Sequence, residues 1–84
     1  MTYTVDILRS ALKQLAKIDR PDQSRIIAAI RALANDPRPV GCKKLSGRPA
    51  WRIGIGAYRV IYEIIEKQLV VLVVAVGHRR EVYR

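Results

Sequence analysis

Three apolar stretches run back to back through the second half of this chain, over residues 51–55, 58–65 and 69–77, with only Gly56-Ala57 and Glu66-Lys67-Gln68 left between them. Stretches of this length, rich in Val, Ile and Tyr and joined by so few residues, fold as consecutive antiparallel strands, because only a hairpin reverses the chain in two residues. The first turn fixes a register. Glycine at the first central position suits a type II′ turn, which pairs Ile55 with Tyr58. Alternation then puts Trp51, Ile53, Ile55, Tyr58, Val60, Tyr62 and Ile64 on one face, and Arg52, Gly54, Arg59, Ile61 and Glu63 on the other. The first set is a core face. Two-residue turning at Glu66-Lys67 extends the pattern and predicts Leu72, Val74, Val76 and His78 on the arginine face.

Upstream, Tyr3, Val5 and Ile7 alternate with Thr4 and Asp6, the mark of a short strand. The period then changes. Ala11, Leu12, Leu15, Ala16 and Ile18 share a helical face, and Asp19-Arg20-Pro21-Asp22 opens a second helix striped by Ile26, Ile27, Ile30, Leu33 and Ala34. Asn35-Asp36-Pro37 stops it, since proline cannot continue the hydrogen-bond ladder. Residues 37–50 hold three of the four prolines and two glycines and read as a loop anchored by Leu45. The expected fold is α+β in the order β-α-α-β-β-β, an antiparallel sheet with a helical hairpin packed on one face. Eighty-four residues suit one domain, 1–84.

Charge narrows the function. Sixteen Lys and Arg face seven Asp and Glu, a net charge of +9, and eleven of the cations are arginine. Arginine's planar fork makes paired hydrogen bonds to phosphate oxygens. The excess is uneven, net +3 over residues 1–42 and +6 over 43–84. A polyanion is the expected partner, nucleic acid ahead of membrane. Cys42 is the single cysteine, so no disulfide forms within the chain, and a cytoplasmic location is expected. The N-terminus lacks signal-peptide order, and no apolar run reaches the ~20 residues that span a bilayer.

Two arginines on a solvated sheet face are common and need no ligand. Their setting adds to them: Gly54 lies across from Arg59, and glycine within a strand often marks a close approach of another molecule. GHRREVYR at residues 77–84 then gathers the single histidine, three arginines and a tyrosine after the most apolar strand. Cutting an RNA phosphodiester needs a base for the 2′-hydroxyl, an acid for the leaving 5′-oxygen and cations for the phosphoryl charge. His78 and Tyr83 are the candidate proton carriers, and Arg52, Arg59 and Arg79 the candidate clamps. Lys43, Lys44 and Arg48 in the loop, with Arg80 and Arg84 in the tail, are candidates for holding the RNA backbone. The seven carboxylates show no paired spacing for Mg²⁺, and one His with one Cys makes no zinc site, so neither metal nor other cofactor is expected.

KKLSGRPAWRI, AYRVIYEI and LVVLVVAVGHRREVY, with the β-α-α start and the NDPRP break, resemble the RelE toxins of bacterial toxin-antitoxin systems, within the RelE/ParE superfamily. The resemblance covers essentially the whole chain. It implies an endoribonuclease that enters the ribosomal A site and cuts mRNA through the 2′-hydroxyl without metal. It also implies a cognate antitoxin with an acidic, amphipathic segment, and contact with operator DNA only through that antitoxin. The matching site positions are Arg52, Arg59, Arg79 and Tyr83, with His78 where relatives carry lysine or histidine. Gly54 departs from the pattern, since many relatives place a second cation there. Two other readings share the fold: a ParE-like poison of DNA gyrase, and a catalytically weakened member that serves as an antitoxin-bound repressor component.

Overall fold

Each helix buries part of the stripe that its periodicity predicts, and Leu12 and Ala16 of the first stripe stay exposed. The computed structural model describes residues 2–78, and in it α1 (Arg9–Ala16) buries Ala11 and Leu15. The second helix, α2 (Arg20–Ala32), carries Pro21 in its first turn and buries Ile26 and Ile30. Pro21 belongs there because the first-turn N–H groups have no helical acceptor to lose. Gln23 Nε2 donates to the Leu15 carbonyl at 3.0 Å and ties the two helices together.

Five strands make one sheet in the order β1-β5-β4-β3-β2, with β1 at Thr4–Ile7, β2 at Lys43–Lys44, β3 at Trp51–Ile55, β4 at Tyr58–Ile65 and β5 at Val70–His78. Two features depart from the expected antiparallel four-stranded sheet. β1 pairs parallel to β5, Val5 against Val71 and Ile7 against Val73, so its apolar residues join the helix-facing side. The segment expected to be wholly loop contributes β2, an edge strand of two residues with Lys43 against Arg52 and Lys44 against Trp51. Neither is written in local pattern, because alternation reports a strand but not its neighbour or its direction.

The first hairpin follows the expected register pair by pair, from Ile55 against Tyr58 to Trp51 against Tyr62. Gly56 takes φ 61°, the left-handed value a type II′ turn requires. The second hairpin differs twice. Its connection has four residues, a 3-10 turn over Glu66–Gln68 and then Leu69 at φ 54°, and it closes on the pair Ile65–Val70. Farther along, Ile61 pairs with Ala75 but Tyr62 pairs with Val73, so Val74 is an extra residue, a β-bulge. The longer turn shifts the register by an even number and preserves the faces. The bulge shifts it by one and reverses them.

Val76 is therefore a fully buried core residue, and His78 sits on the helix-facing side against Tyr58. A straight continuation of the register predicts both on the arginine face. The reversal lets Val71, Val73 and Val76 all reach the core, which also contains Val60, Tyr62, Ile53 and the helical stripes. Full burial of each such side chain contributes on the order of 1.5–3 kcal/mol. Tyr62 is wholly buried, and its hydroxyl donates to the Pro37 carbonyl at 2.7 Å. Burial is also what pushes this phenol far above its ordinary pKa.

Candidate functional site

The sheet face away from the helices sorts its side chains by charge. At one end Asp6 neighbours Leu72, which neighbours Glu63. At the other, Lys43, Arg52, Ile61 and Ala75 form one row across four strands, and Gly54, Arg59 and Gly77 form the next. Arg52 and Arg59 share this face, as the hairpin register predicts. Lys43, Arg52 and Arg59, with Gly41 and Gly54, line a pocket of about 170 Å³. A side chain added at Gly54 would meet nothing within 4 Å, so this glycine leaves open ground beside Arg59. Arg52 is half-buried and its Nη1 is shielded from solvent.

The loop that brings Gly41 and Lys43 to the pocket is fastened at its start. The Arg38 guanidinium lies 5.0 Å from the centroid of the Trp51 ring, and its Nη2 donates to Glu66 Oε1 at 2.8 Å. The Tyr3 hydroxyl donates to the other Glu66 oxygen at 2.7 Å. These hydrogen bonds, from Tyr3 first and Arg38 second, hold the Glu66 carboxyl below its ordinary pKa. The same bonds raise the pKa values of Tyr3 and Arg38.

The candidate residues separate into three groups. Lys43, Arg52 and Arg59 come together. Lys44 and Arg48 do not join them: Lys44 pairs with Trp51 on the opposite parity, and both line a separate open pocket of about 520 Å³ formed by the loop. His78 lies across the sheet from the arginines, its ring centroid 6.0 Å from that of Tyr58 in an edge-to-face arrangement. It lines a groove of about 590 Å³ with Gln14 and Lys17 of the helical layer. Arg79, Arg80, Tyr83 and Arg84 lie outside the described residues.

Gly77 escaped the sequence reading. It stands beside Arg59 as Gly54 does on the other flank, a relation visible only once the bulge at Val74 is known. This face also carries fewer exposed apolar side chains than the straight register predicts. Val76 has left it, Ile61 is buried, and Leu72 and Val74 remain half-buried. Among the described residues no cluster of His, Cys, Asp or Glu has the makings of a metal site. A pocket walled by two arginines and a lysine and floored by glycine backbone suits an oxyanion with several oxygens, as a phosphodiester offers.

Comparison with known proteins follows the same line. Residues 5–83 match the family described as the ParE toxin of type II toxin-antitoxin system, parDE. A RelE-like toxin protein of Escherichia coli is 30% identical over 81 residues, covering 94% of this chain and 85% of the relative. The mRNA interferase toxin RelE of Escherichia coli is 31% identical over 88 aligned positions, 99% of this chain and 92% of its own length. Among solved structures, the archaeal RelE-RelB complex from Pyrococcus horikoshii contains a chain that superposes with a TM-score of 0.85 at 28% identity, covering 96% of this chain and 99% of that one.

Proposed function

This chain belongs to the RelE/ParE superfamily as a toxin of the type II, RelBE kind, and from that premise we propose that it is an endoribonuclease that cuts mRNA in the ribosomal A site. The observation that carries the reading is the convergence of Lys43, Arg52 and Arg59 around Gly54 on the open face of the sheet. In the proposed reaction the ribose 2′-hydroxyl gives up its proton and its oxygen bonds to the adjacent phosphorus, closing a 2′,3′-cyclic phosphate as the bond from phosphorus to the 5′-oxygen breaks and that oxygen takes up a proton. Negative charge grows on the non-bridging oxygens, where fixed guanidinium groups stabilise it more in the transition state than in the ground state. No metal is assigned a role. Arg52 and Arg59 are the proposed clamps, with Arg79 completing them and Lys43 holding the neighbouring backbone. With His78 on the far side of the sheet, Tyr83 is the proposed proton carrier at this pocket. Lys44, Arg48, Arg80 and Arg84 are proposed to hold RNA outside it.

The proposed partners follow from the same surface. Lys43, Arg52 and Arg59 at the cationic end of this face suit the acidic side of an antitoxin segment, and half-buried Leu72 and Val74 farther along the sheet suit its apolar side. Among the described residues no helix is long and apolar enough to cross a membrane. A ribosomal substrate places the proposed activity in the cytoplasm, with operator DNA reached only through the antitoxin. Residues 1–84 are read as one domain around one core.

The test is cleavage mapping on translating ribosomes with purified protein. The wild type is expected to cut within codons, and Arg59→Ala to lower the cleavage rate by about 10²–10³-fold while the fold and antitoxin binding persist. An equal rate in Arg59→Ala removes the site. The match to the ParE toxin family favours a second reading, poisoning of DNA gyrase. Intact mRNA together with DNA damage in arrested cells decides for that one.

A further inference from the structure

The helix-facing side of the sheet carries a second concave surface. Its floor is apolar, from Ile18 and the buried Val76, and its walls are Tyr58, His78, Gln14 and Lys17. Three features specify an occupant. First, among the described residues no carboxylate lines it and Lys17 does, in a chain of net charge +9, so it favours an anionic partner. Second, Tyr58 and His78 are held as a cross-strand pair, with ring planes at 74°. Rigid aromatic rings beside a cation are what unstacked bases of a single strand lie against. Third, Gln14 Oε1 accepts from the Val76 N–H at 2.8 Å. That bond fixes the plane of an amide whose Nε2 is a double donor, the group that reads the edge of a base.

Position joins this groove to the arginine pocket. Tyr58–His78 and Arg59–Gly77 are consecutive rungs of the β4–β5 ladder, and consecutive rungs point to opposite faces. Gly77 itself lines the groove. A strand gripped by Arg59 has only the end of the sheet to cross before its next bases reach Tyr58. The groove's size, about 590 Å³, falls within the span of sites that enclose small ligands. Resting on the RNA-cutting function proposed above, we propose that this groove is a second RNA subsite, seating an unstacked base of the strand whose phosphate is held by Arg52 and Arg59 across the sheet.

Fluorescence anisotropy of the full chain with a short, labelled, fully 2′-O-methylated oligoribonucleotide, which cannot be cut, tests this directly. Tyr58→Leu is expected to weaken binding about 10-fold, as loss of one stacked base does, whereas Tyr58→Phe stays within about 2-fold because it keeps the ring. Lys17→Glu is expected to weaken binding and to lower the salt-dependence slope by about one. If Tyr58→Leu does not fold, Lys17→Glu decides, since Lys17 is exposed. Folded Lys17→Glu and Tyr58→Leu proteins with wild-type RNA affinity, alongside an Arg59→Ala that has lost it, overturn the second subsite and leave the proposed function standing. Loss of binding to an acidic antitoxin peptide without change in RNA affinity assigns the groove to a protein and overturns it equally. A wild type that neither binds the oligoribonucleotide nor cuts mRNA removes both proposals together.

Discussion

The two hairpins of this sheet share β4 yet obey different rules. The β3–β4 ladder keeps one register throughout, so every residue's face follows from the turn at Gly56-Ala57. The β4–β5 ladder changes register once, at Val74, and everything beyond that point is reversed relative to a straight continuation. One extra residue sends Val76 into the core and His78 to the helical side, leaving the open face to the arginines. What distinguishes the hairpins is redundancy. In β3 the faces differ in chemistry, Trp51, Ile53 and Ile55 against Arg52 and Gly54, and a slip is penalised at once. In β5 nearly every residue from 69 to 76 is a branched aliphatic, so either parity fills a core and packing alone makes the choice.

Removing one residue from each hairpin breaks this comparison most sharply. Deleting Gly54 throws Trp51 and Ile53 out and Arg52 in, which is expected to cost about 3 kcal/mol or more and to leave little folded protein in urea titrations. Deleting Val74 removes only the bulge. Val71, Val73, Val76 and His78 then keep their faces on a regular ladder, and the protein is expected to fold, with a midpoint far closer to wild type. An unfolded Val74 deletion beside a folded Gly54 deletion contradicts the account of both ladders.

Smaller perturbations sharpen it. Tyr62 stands where the register changes, and Tyr62→Phe strips the Pro37 carbonyl of its buried donor. About 1–3 kcal/mol is expected, read by the same titration. At the turn that fixes β3–β4, Gly56→Ala places a Cβ in a left-handed conformation and 3.5 Å from Arg25 Nη2. This costs about 1–2 kcal/mol, with no change in faces by amide NMR.

The least effect belongs to Glu66, in the connection of the other hairpin. Its carboxyl pKa is depressed in the fold, so the stability it contributes is present above the ordinary value of 4.5 and is lost as pH falls through the lower folded value. The gap in melting temperature between wild type and Glu66→Gln should therefore be small at neutral pH, weaken with added salt and close in acid.

Much of the architecture was legible because local chemistry and global fold agree. The helix stripes, the stop near Pro37 and the shared face of Arg52 and Arg59 follow from periodicities and turn residues that act over a few positions. The parallel pairing of β1 with β5 was not legible, since Val5 and Ile7 would alternate identically beside any strand. Proximity in sequence groups Lys44 and Arg48 with Lys43, but adjacent residues of a strand point to opposite faces. β2 itself, two lysines long, carries no pattern that announces a strand.

From its sequence alone, then, this protein has a strongly basic composition, a β3–β4 register and a pair of guanidinium groups on one face, because each depends on composition or on contacts across one tight turn. The tertiary structure decided where His78 points, which lysine meets the arginines and what surrounds Gly54. Those depend on a bulge and an edge strand whose placement is set by how a nearly uniform aliphatic strand fills the space beneath two helices, a balance of packing that no short stretch of residues encodes.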